Sequence, residues 1–195
     1  MEEGQTAFVP AGASGLASVA IPMAKAFGAK VITSVLSDEI AEKIKPLGAD
    51  VIINSTTQSV EEILQAEEEE NGTPVNVSMD CLSGETLGKS LPYMARGGYW
   101  IVISTLAGIE TNIQLRPLLT KGLHLVGSML RKRTPEFKAY ILSELVEKVW
   151  PKIESGAIKP SIYKVLPIEQ AEEAHAILER GENIGKVVLR VYKEK

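Results

Sequence analysis

The chain has 195 residues, 45% of them hydrophobic, with a formal net charge of -4, two histidines and one cysteine. That length and apolar share suit one substantial α/β domain with or without an appendage, and the acidic balance argues against nucleic acid as a partner. Cys81 has no second cysteine to pair with, two His and one Cys disfavour a metal site, and neither a leader at the acidic start nor a membrane-spanning run is expected, so the sequence suits a cytoplasmic protein with no membrane partner.

Residues 5–10 read as a short strand, 11–17 (AGASGLA) as a turn of small residues, 16–27 as an Ala-rich helix and 30–35 as the next strand. Strand, small-residue turn, helix and strand make half of a nucleotide-binding βαβ unit. Gly12, Ser14 and Ala17 take the three positions of a G-x-G-x-x-G/A fingerprint, with Ala13, Gly15 and Leu16 between them. Gly12 would allow the tight bend, Ser14 would let a pyrophosphate approach the backbone, and Ala17 would let the helix pack closely on its strand. The alternative is a purely structural turn, because small residues also serve helix–sheet packing. Pro22 lies inside the helix, where it removes one backbone hydrogen bond and costs about 3 kcal/mol unless a kink absorbs it.

A helix is expected over 38–46, with Ser37 as its cap and Asp38 and Glu39 in the first turn. Residues 51–54 (VIIN) form a continuous apolar strand, as a parallel sheet covered on both faces requires. A helix over 60–69 follows, and the four glutamates at 67–70 read as its solvated end. Strand 75–79 carries Asp80 at its carboxyl end, 84–94 is helical, and Arg96-Gly97-Gly98 turns the chain into strand 99–103. Residues 108–120 read as a loop with a short helix, 123–126 as a strand and 127–131 as the loop after it. Thr134 caps a long helix to Trp150, with Pro135 at its permissive first position.

The tail changes character. Strand 162–166, helix 168–179, a turn at 183–186 and strand 187–191 lie beyond a boundary at 155–160. The expected fold is α/β, a doubly wound Rossmann-type parallel sheet over residues 1–155 with a C-terminal βαβ extension over 156–195.

An NAD site places a carboxylate at the end of the second strand for the ribose diol. Here Thr33, Ser34, Val35, Leu36 and Ser37 stand before the first acid, Asp38, which argues against strict NAD preference. Ser37 offers a hydroxyl to a 2′-phosphate or simply caps its helix. No tyrosine is followed by a lysine four residues on, and neither a G-x-S-x-G elbow nor a phosphate loop ending in Gly-Lys-Ser/Thr occurs. His124 and His175 read as packed or exposed side chains and Cys81 as a core or loop thiol, so no catalytic residue is assigned. Arg131, Lys132 and Arg133 form the one concentrated basic patch, placed to meet an anionic cofactor at a strand end or to serve as surface charge. Lys186, after Asn183-Ile184-Gly185, either enters a cleft or lies at a sheet edge.

The sequence resembles the cofactor-binding domain and closing segment of the zinc-independent quinone oxidoreductases of the medium-chain dehydrogenase/reductase superfamily, close to the p53-inducible type. The likeness rests on the loop from Gly12 to Ala17, Ala24-Lys25-Ala26-Phe27-Gly28-Ala29, Leu47-Gly48-Ala49-Asp50, Asp80 followed by Gly84, Gly97-Gly98, Gly127-Ser128 with Leu130-Arg131, Val149-Trp150-Pro151 and Asn183-Ile184-Gly185-Lys186. It implies metal-free hydride transfer from NADPH, with NADH possible, to a quinone or another activated carbonyl compound. By position it implies cofactor contacts at Gly12, Ala13, Ser14, Gly15, Leu16, Ala17 and Ser37, and near the nicotinamide at Ser104, Leu106, Ala107, Ser128 and Leu130, with Arg131 and Lys186 in the phosphate or cleft region. Leu36, Ile40 and Ser55 stand where NADPH users of the family place a glycine, a basic residue and often a tyrosine. The resemblance further implies a substrate domain before residue 1, to which 156–195 would belong, and a homodimer through the strand at 123–126.

Overall fold

The computed structural model describes residues 1–192. In chain order these residues form β1 (Thr6–Val9), α1 (Ala17–Ala26), β2 (Lys30–Val35), α2 (Asp38–Ile44), β3 (Val51–Asn54), α3 (Val60–Glu69), β4 (Val75–Asp80), α4 (Gly84–Ser90), β5 (Met94–Val102), α5 (Leu115–Lys121), β6 (His124–Gly127), α6 (Pro135–Lys148), α7 (Trp150–Glu154), β7 (Ile162–Pro167), α8 (Ala171–Glu179) and β8 (Lys186–Arg190). The first six strands make one sheet in the order β3-β2-β1-β4-β5-β6, and every neighbouring pair is parallel. The chain starts in the middle, winds out to β3 and crosses back to β4, so the winding reverses between β1 and β4. In open α/β sheets the crevice at such a reversal, beyond the carboxyl ends of the strands, is where ligands bind.

Alternation along the strands sets the two faces. Ala7, Val9 and Val31 pack with Ala17, Ala20, Ile21 and Ala24 of α1, where small side chains let helix and sheet approach closely. On the other face Phe8, Ile32, Ile53 and Trp100 meet Leu64 of α3 and Leu87 of α4. With both faces covered, the strands read as apolar runs rather than alternating ones. The helix α1 runs on through Pro22 without a break. Ser37 caps α2 as expected, its hydroxyl oxygen accepting from the Ile40 N–H at 3.2 Å.

Three expectations are corrected. The helix placed over 84–94 ends at Ser90; residues 91–93 make a 3-10 turn around Pro92, which cannot donate to a helical ladder, and β5 starts at Met94. The turn expected at Arg96-Gly97-Gly98 lies inside β5 as a bulge. Met94 pairs with Val75 and Tyr99 with Val77, so the residues between swing out, with Gly97 at φ 69°. The glutamate run is not simply a solvated end. Glu67 is 6% exposed and pairs with Lys30 at the start of β2, while Thr73 donates to its carboxylate at 2.5 Å. Glu68 pairs with Lys121, whose ammonium also donates to the carbonyls of Pro92 at 2.7 Å and Met94 at 3.1 Å. The end of α3 is thereby bolted to β2 and to the turn before β5.

Burial pushes the Glu67 carboxyl up, but the hydrogen bonds from Lys30 and Thr73 outweigh it and hold the group below its ordinary value. A carboxyl lowered in the folded state contributes stability above its unfolded pKa, and the contribution is lost as pH falls through the lower folded value. Glu67→Gln is therefore expected to be less stable than the parent by a constant amount at neutral pH, with the gap narrowing below about pH 4, near the unfolded glutamate value. Urea unfolding at a series of pH values reads this, and a gap that stays constant through the acid range would remove the ion pair from the account.

Beyond α7 the tail forms a second, two-stranded parallel sheet, β7 with β8, connected through α8. Its own core is small: Leu166, Ala174 and Ile177, backed by Val187 and Leu189. Ile162, Tyr163 and Val165 of β7 are exposed.

Candidate nucleotide site

Where β1 ends, the chain turns sharply. Ala11 takes a left-handed conformation at φ 57°, uncommon for a residue with a side chain, and the next N–H, of Gly12, donates to the Ser34 carbonyl at 2.8 Å. A Cβ on Gly12 would lie 2.6 Å from the Thr33 Oγ1 and 2.7 Å from the Ile44 Cδ1, so glycine here is demanded by the packing of the loop on β2 and α2. Ser14 folds its hydroxyl oxygen back to accept from the Ala17 N–H at 3.1 Å, closing the first turn of α1. The N–H groups of Ala13, Gly15 and Leu16 have no acceptor among the described residues. Free amides at a helix start suit a phosphate.

The tail closes over this loop. The Gly185 N–H donates to the Ala13 carbonyl at 3.1 Å, and the Lys186 side chain lies across Gly15, its Nζ 2.7 Å from where a Cβ on Gly15 would sit. Gly185 itself has φ 88°, and a Cβ there would come within 2.4 Å of the Ser161 carbonyl oxygen. Lys186 opens β8, as the sheet-edge reading has it, and its side chain reaches the loop at Gly15.

Beside the loop is a hollow of about 230 Å³, bounded by Gly12, Ser14, Val35, Leu36 and Ile40 and closed from the tail by Gly181 and Asn183. A larger hollow of about 610 Å³ opens at the carboxyl ends of β5 and β6, where Ser104 and Thr105 face Gly127, Ser128, Lys132 and Arg133. The two hollows flank the position where the winding reverses.

The structure brings only some of the residues expected near a nicotinamide together. Ser104 and Ser128 share the larger hollow. Leu106 is 76% exposed and does not line it; Ala107 is turned against Gly84, with its N–H donating to the Leu82 carbonyl at 2.8 Å. Leu130 and Arg131 face a separate hollow of about 450 Å³ with Lys138, Ile141 and Leu142 of α6. Lys132 and Arg133, grouped in sequence with Arg131 as one basic patch, are the members that reach the larger hollow.

Asp80 supports the second hollow from below. One carboxylate oxygen accepts from the N–H groups of Leu82 and Ser83 at 2.8 and 2.9 Å; the other accepts from the Trp100 Nε1–H at 2.8 Å. That grip holds Ser83 at φ 58°, from where its hydroxyl donates to the Ser104 carbonyl at 2.9 Å. The Leu106 N–H donates to the Cys81 carbonyl at 3.2 Å, so the strand end of β4 and the loop after β5 are laced together. Asp80 is legible in the sequence at a strand end but its partner is not; the signal is a tryptophan on the next strand, usable only once the pairing of β4 with β5 is known. The Cys81 thiol is buried, and burial with the Asp80 charge beside it pushes the group above its ordinary value. Among the described residues, no group of three or more His, Cys, Asp or Glu is placed to hold a metal ion, and no helix is long and apolar enough to cross a membrane.

Comparison with known proteins places this geometry. A family model described as zinc-binding dehydrogenase matches residues 15–147. Quinone oxidoreductase 1 of Escherichia coli is 30% identical over 186 residues, 92% of this chain and 54% of its own length. A 2-haloacrylate reductase from Burkholderia is 27% identical over 194 residues, 97% of this chain and 56% of its own. Among solved structures, Escherichia coli quinone oxidoreductase in complex with NADPH superposes with a TM-score of 0.78 at 28% identity, covering 98% of this chain and 58% of that one. A 2-haloacrylate reductase superposes at 0.81 and 25% identity, covering 98% and 59%. The chain spans about half the length of the curated relatives it matches.

Proposed function

This chain belongs to the zinc-binding dehydrogenase family, within the zinc-independent, quinone oxidoreductase-like group of the medium-chain dehydrogenase/reductase superfamily, and from that membership we propose that it supplies the nicotinamide-nucleotide part of a reductase acting on quinones or other activated carbonyl compounds. The observation that carries the reading is the loop from Gly12 to Ala17, with three free amides at the head of α1 and the Lys186 ammonium laid across Gly15. Amides and a cation converging on one concave backbone fit a pyrophosphate. NADPH, the ligand of the Escherichia coli neighbour, is the proposed cofactor. Bound there, a dihydronicotinamide supplies the hydride.

The chain's own residues bind and orient. Ala13, Gly15 and Leu16 would donate to phosphate oxygens while Lys186 balances their charge, and Ser14 and Ala17 keep the backbone open to close approach. Ser104 and Ser128 would border the nicotinamide end, Ser104 held through Ser83 and Asp80 and Ser128 by its N–H donating to the Val102 carbonyl at 2.9 Å. On this reading residues 1–155 are the dinucleotide-binding domain and 156–195 the closing segment of a substrate domain, in a cytoplasmic protein.

A second reading, a binding or dimerisation module that keeps the fold without turnover, draws on β6. This edge strand leaves Leu125 and Val126 exposed, with Tyr99 beside them stacked on His124 at 4.2 Å. An open apolar edge favours pairing with a second copy. One sedimentation experiment with NADPH separates the readings. We expect nicotinamide absorbance to travel with a species of twice the 21.1 kDa chain mass. A dimer that leaves the nucleotide behind supports the module instead, and a monomer carrying nucleotide removes the edge-strand dimer.

A further inference from the structure

The rim of the smaller hollow farthest from the phosphate loop is made of apolar side chains. Leu36, 71% exposed, projects from the end of β2, and Ile40 of α2 stands beside it. Every charged side chain of α2 is engaged with another group. Asp38 accepts from the Asn54 Nδ2 at 2.7 Å, Glu39 pairs with Lys43 at 2.5 Å, and Glu42 pairs with Lys45 at 2.5 Å. Lys30, at the opposite end of β2, is held by Glu67. The two hydroxyls nearby are also placed: Ser37 caps α2, and Ser55 donates to the Val35 carbonyl at 3.0 Å.

NADH and NADPH differ only by the 2′-phosphate on the adenosine ribose. Sites tell them apart with a carboxylate that accepts from the ribose diol and repels the phosphate, or with a guanidinium or ammonium that holds the phosphate. Leu36 and Ile40 do neither. They offer apolar surface to an adenine ring, a contact common to both nucleotides, and Lys186 acts at Gly15, beside the pyrophosphate that both carry. The Ser37 hydroxyl can donate equally to a diol oxygen or a phosphate oxygen.

We infer that this site takes NADH and NADPH with nearly equal affinity, and that Leu36 and Ile40 set that indifference. The inference rests on the dinucleotide reading of the loop and widens its cofactor from NADPH to a reduced nicotinamide dinucleotide of either kind. It makes the redox state of two nucleotide pools, rather than one, available to the protein.

The test is a titration of the full chain with NADH and with NADPH, followed by nicotinamide fluorescence at low and high salt. Dissociation constants within about threefold of each other, in a ratio that salt changes little, are expected, because Leu36 and Ile40 carry no charge for ions to screen. NADPH binding more than about thirtyfold tighter than NADH would overturn the inference while leaving the dinucleotide reading standing. Binding of neither nucleotide would overturn that reading and the inference with it. Ile40→Lys, at a half-buried position on the rim, adds the missing cation and is expected to turn the ratio about tenfold toward NADPH at low salt, less at high salt. Leu36→Asp should turn it toward NADH. If both variants bind with the parent's ratio, the adenosine end lies elsewhere and the assignment of Leu36 and Ile40 falls.

Discussion

Replacing Asp80 with alanine is expected to cost about 3 kcal/mol of stability, because three donors lose their acceptor at once. The Trp100 Nε1–H is wholly buried and has no water to turn to, and the N–H groups of Leu82 and Ser83 lose the oxygen that fixes their turn. An unsatisfied buried donor costs about 1–3 kcal/mol, and relief of the buried carboxylate's own desolvation offsets part of the sum. Asp80→Asn separates the two duties. Its carbonyl oxygen can still serve the turn, but its amide then faces the indole N–H donor to donor. About half the loss is expected for this variant, by the same count of donors. Urea midpoints of the two variants, combined with Trp100→Phe in a double-mutant cycle, measure the coupling. A shift under about 1 kcal/mol for Asp80→Ala would mean that the turn finds other partners.

Ser14→Asp should separate folding from binding. At the head of α1 an aspartate is as good a capping residue as serine and is favoured by the helix dipole, so the variant should melt within about 0.5 kcal/mol of the parent. The same carboxylate would stand against a pyrophosphate. Like charges placed face to face cost several kcal/mol, so dinucleotide affinity should fall about a hundredfold or more. Calorimetric titration beside a thermal melt reads both quantities on one sample. Unchanged affinity would take the pyrophosphate away from the loop between Gly12 and Ala17, and a folded protein with no measurable binding is the expected outcome.

What the sequence disclosed was mostly local. The run of β1, small-residue turn, α1 and β2 is written in adjacent residues, and the Ser37 cap is a three-residue signal realised in the structure. In the sequence the bulge inside β5 reads as a turn because Gly97 answers to both: either needs a positive φ, and only the pairing of Met94 with Val75 shows that the strand has already begun. The glutamate run misled for the same reason. Glu67 and Lys30 are 37 residues apart, and nothing in a charge pattern says which carboxylate will be folded under a helix. Trp100 meeting Asp80 and Lys186 meeting Gly15 are likewise consequences of strand order, which periodicity does not encode. Basic residues were legible as a patch, but the division of Arg131 from Lys132 and Arg133 between two hollows depends on the short 3-10 turn at Leu130–Lys132.

The hydrogen bond from Gly185 to Ala13 also has a meaning in time. A chain made from its N terminus completes the strand and helix around Ala13 while the residues that cover them are still unsynthesised. The β7–α8–β8 unit, with a core of a few side chains, is too small to hold itself together. Here it is placed by returning to a surface made much earlier in the chain. Contacts of such sequence separation are slow to form, and domains fold largely in the order of synthesis. The loop from Gly12 to Ala17 is thus made well before the segment that clasps it.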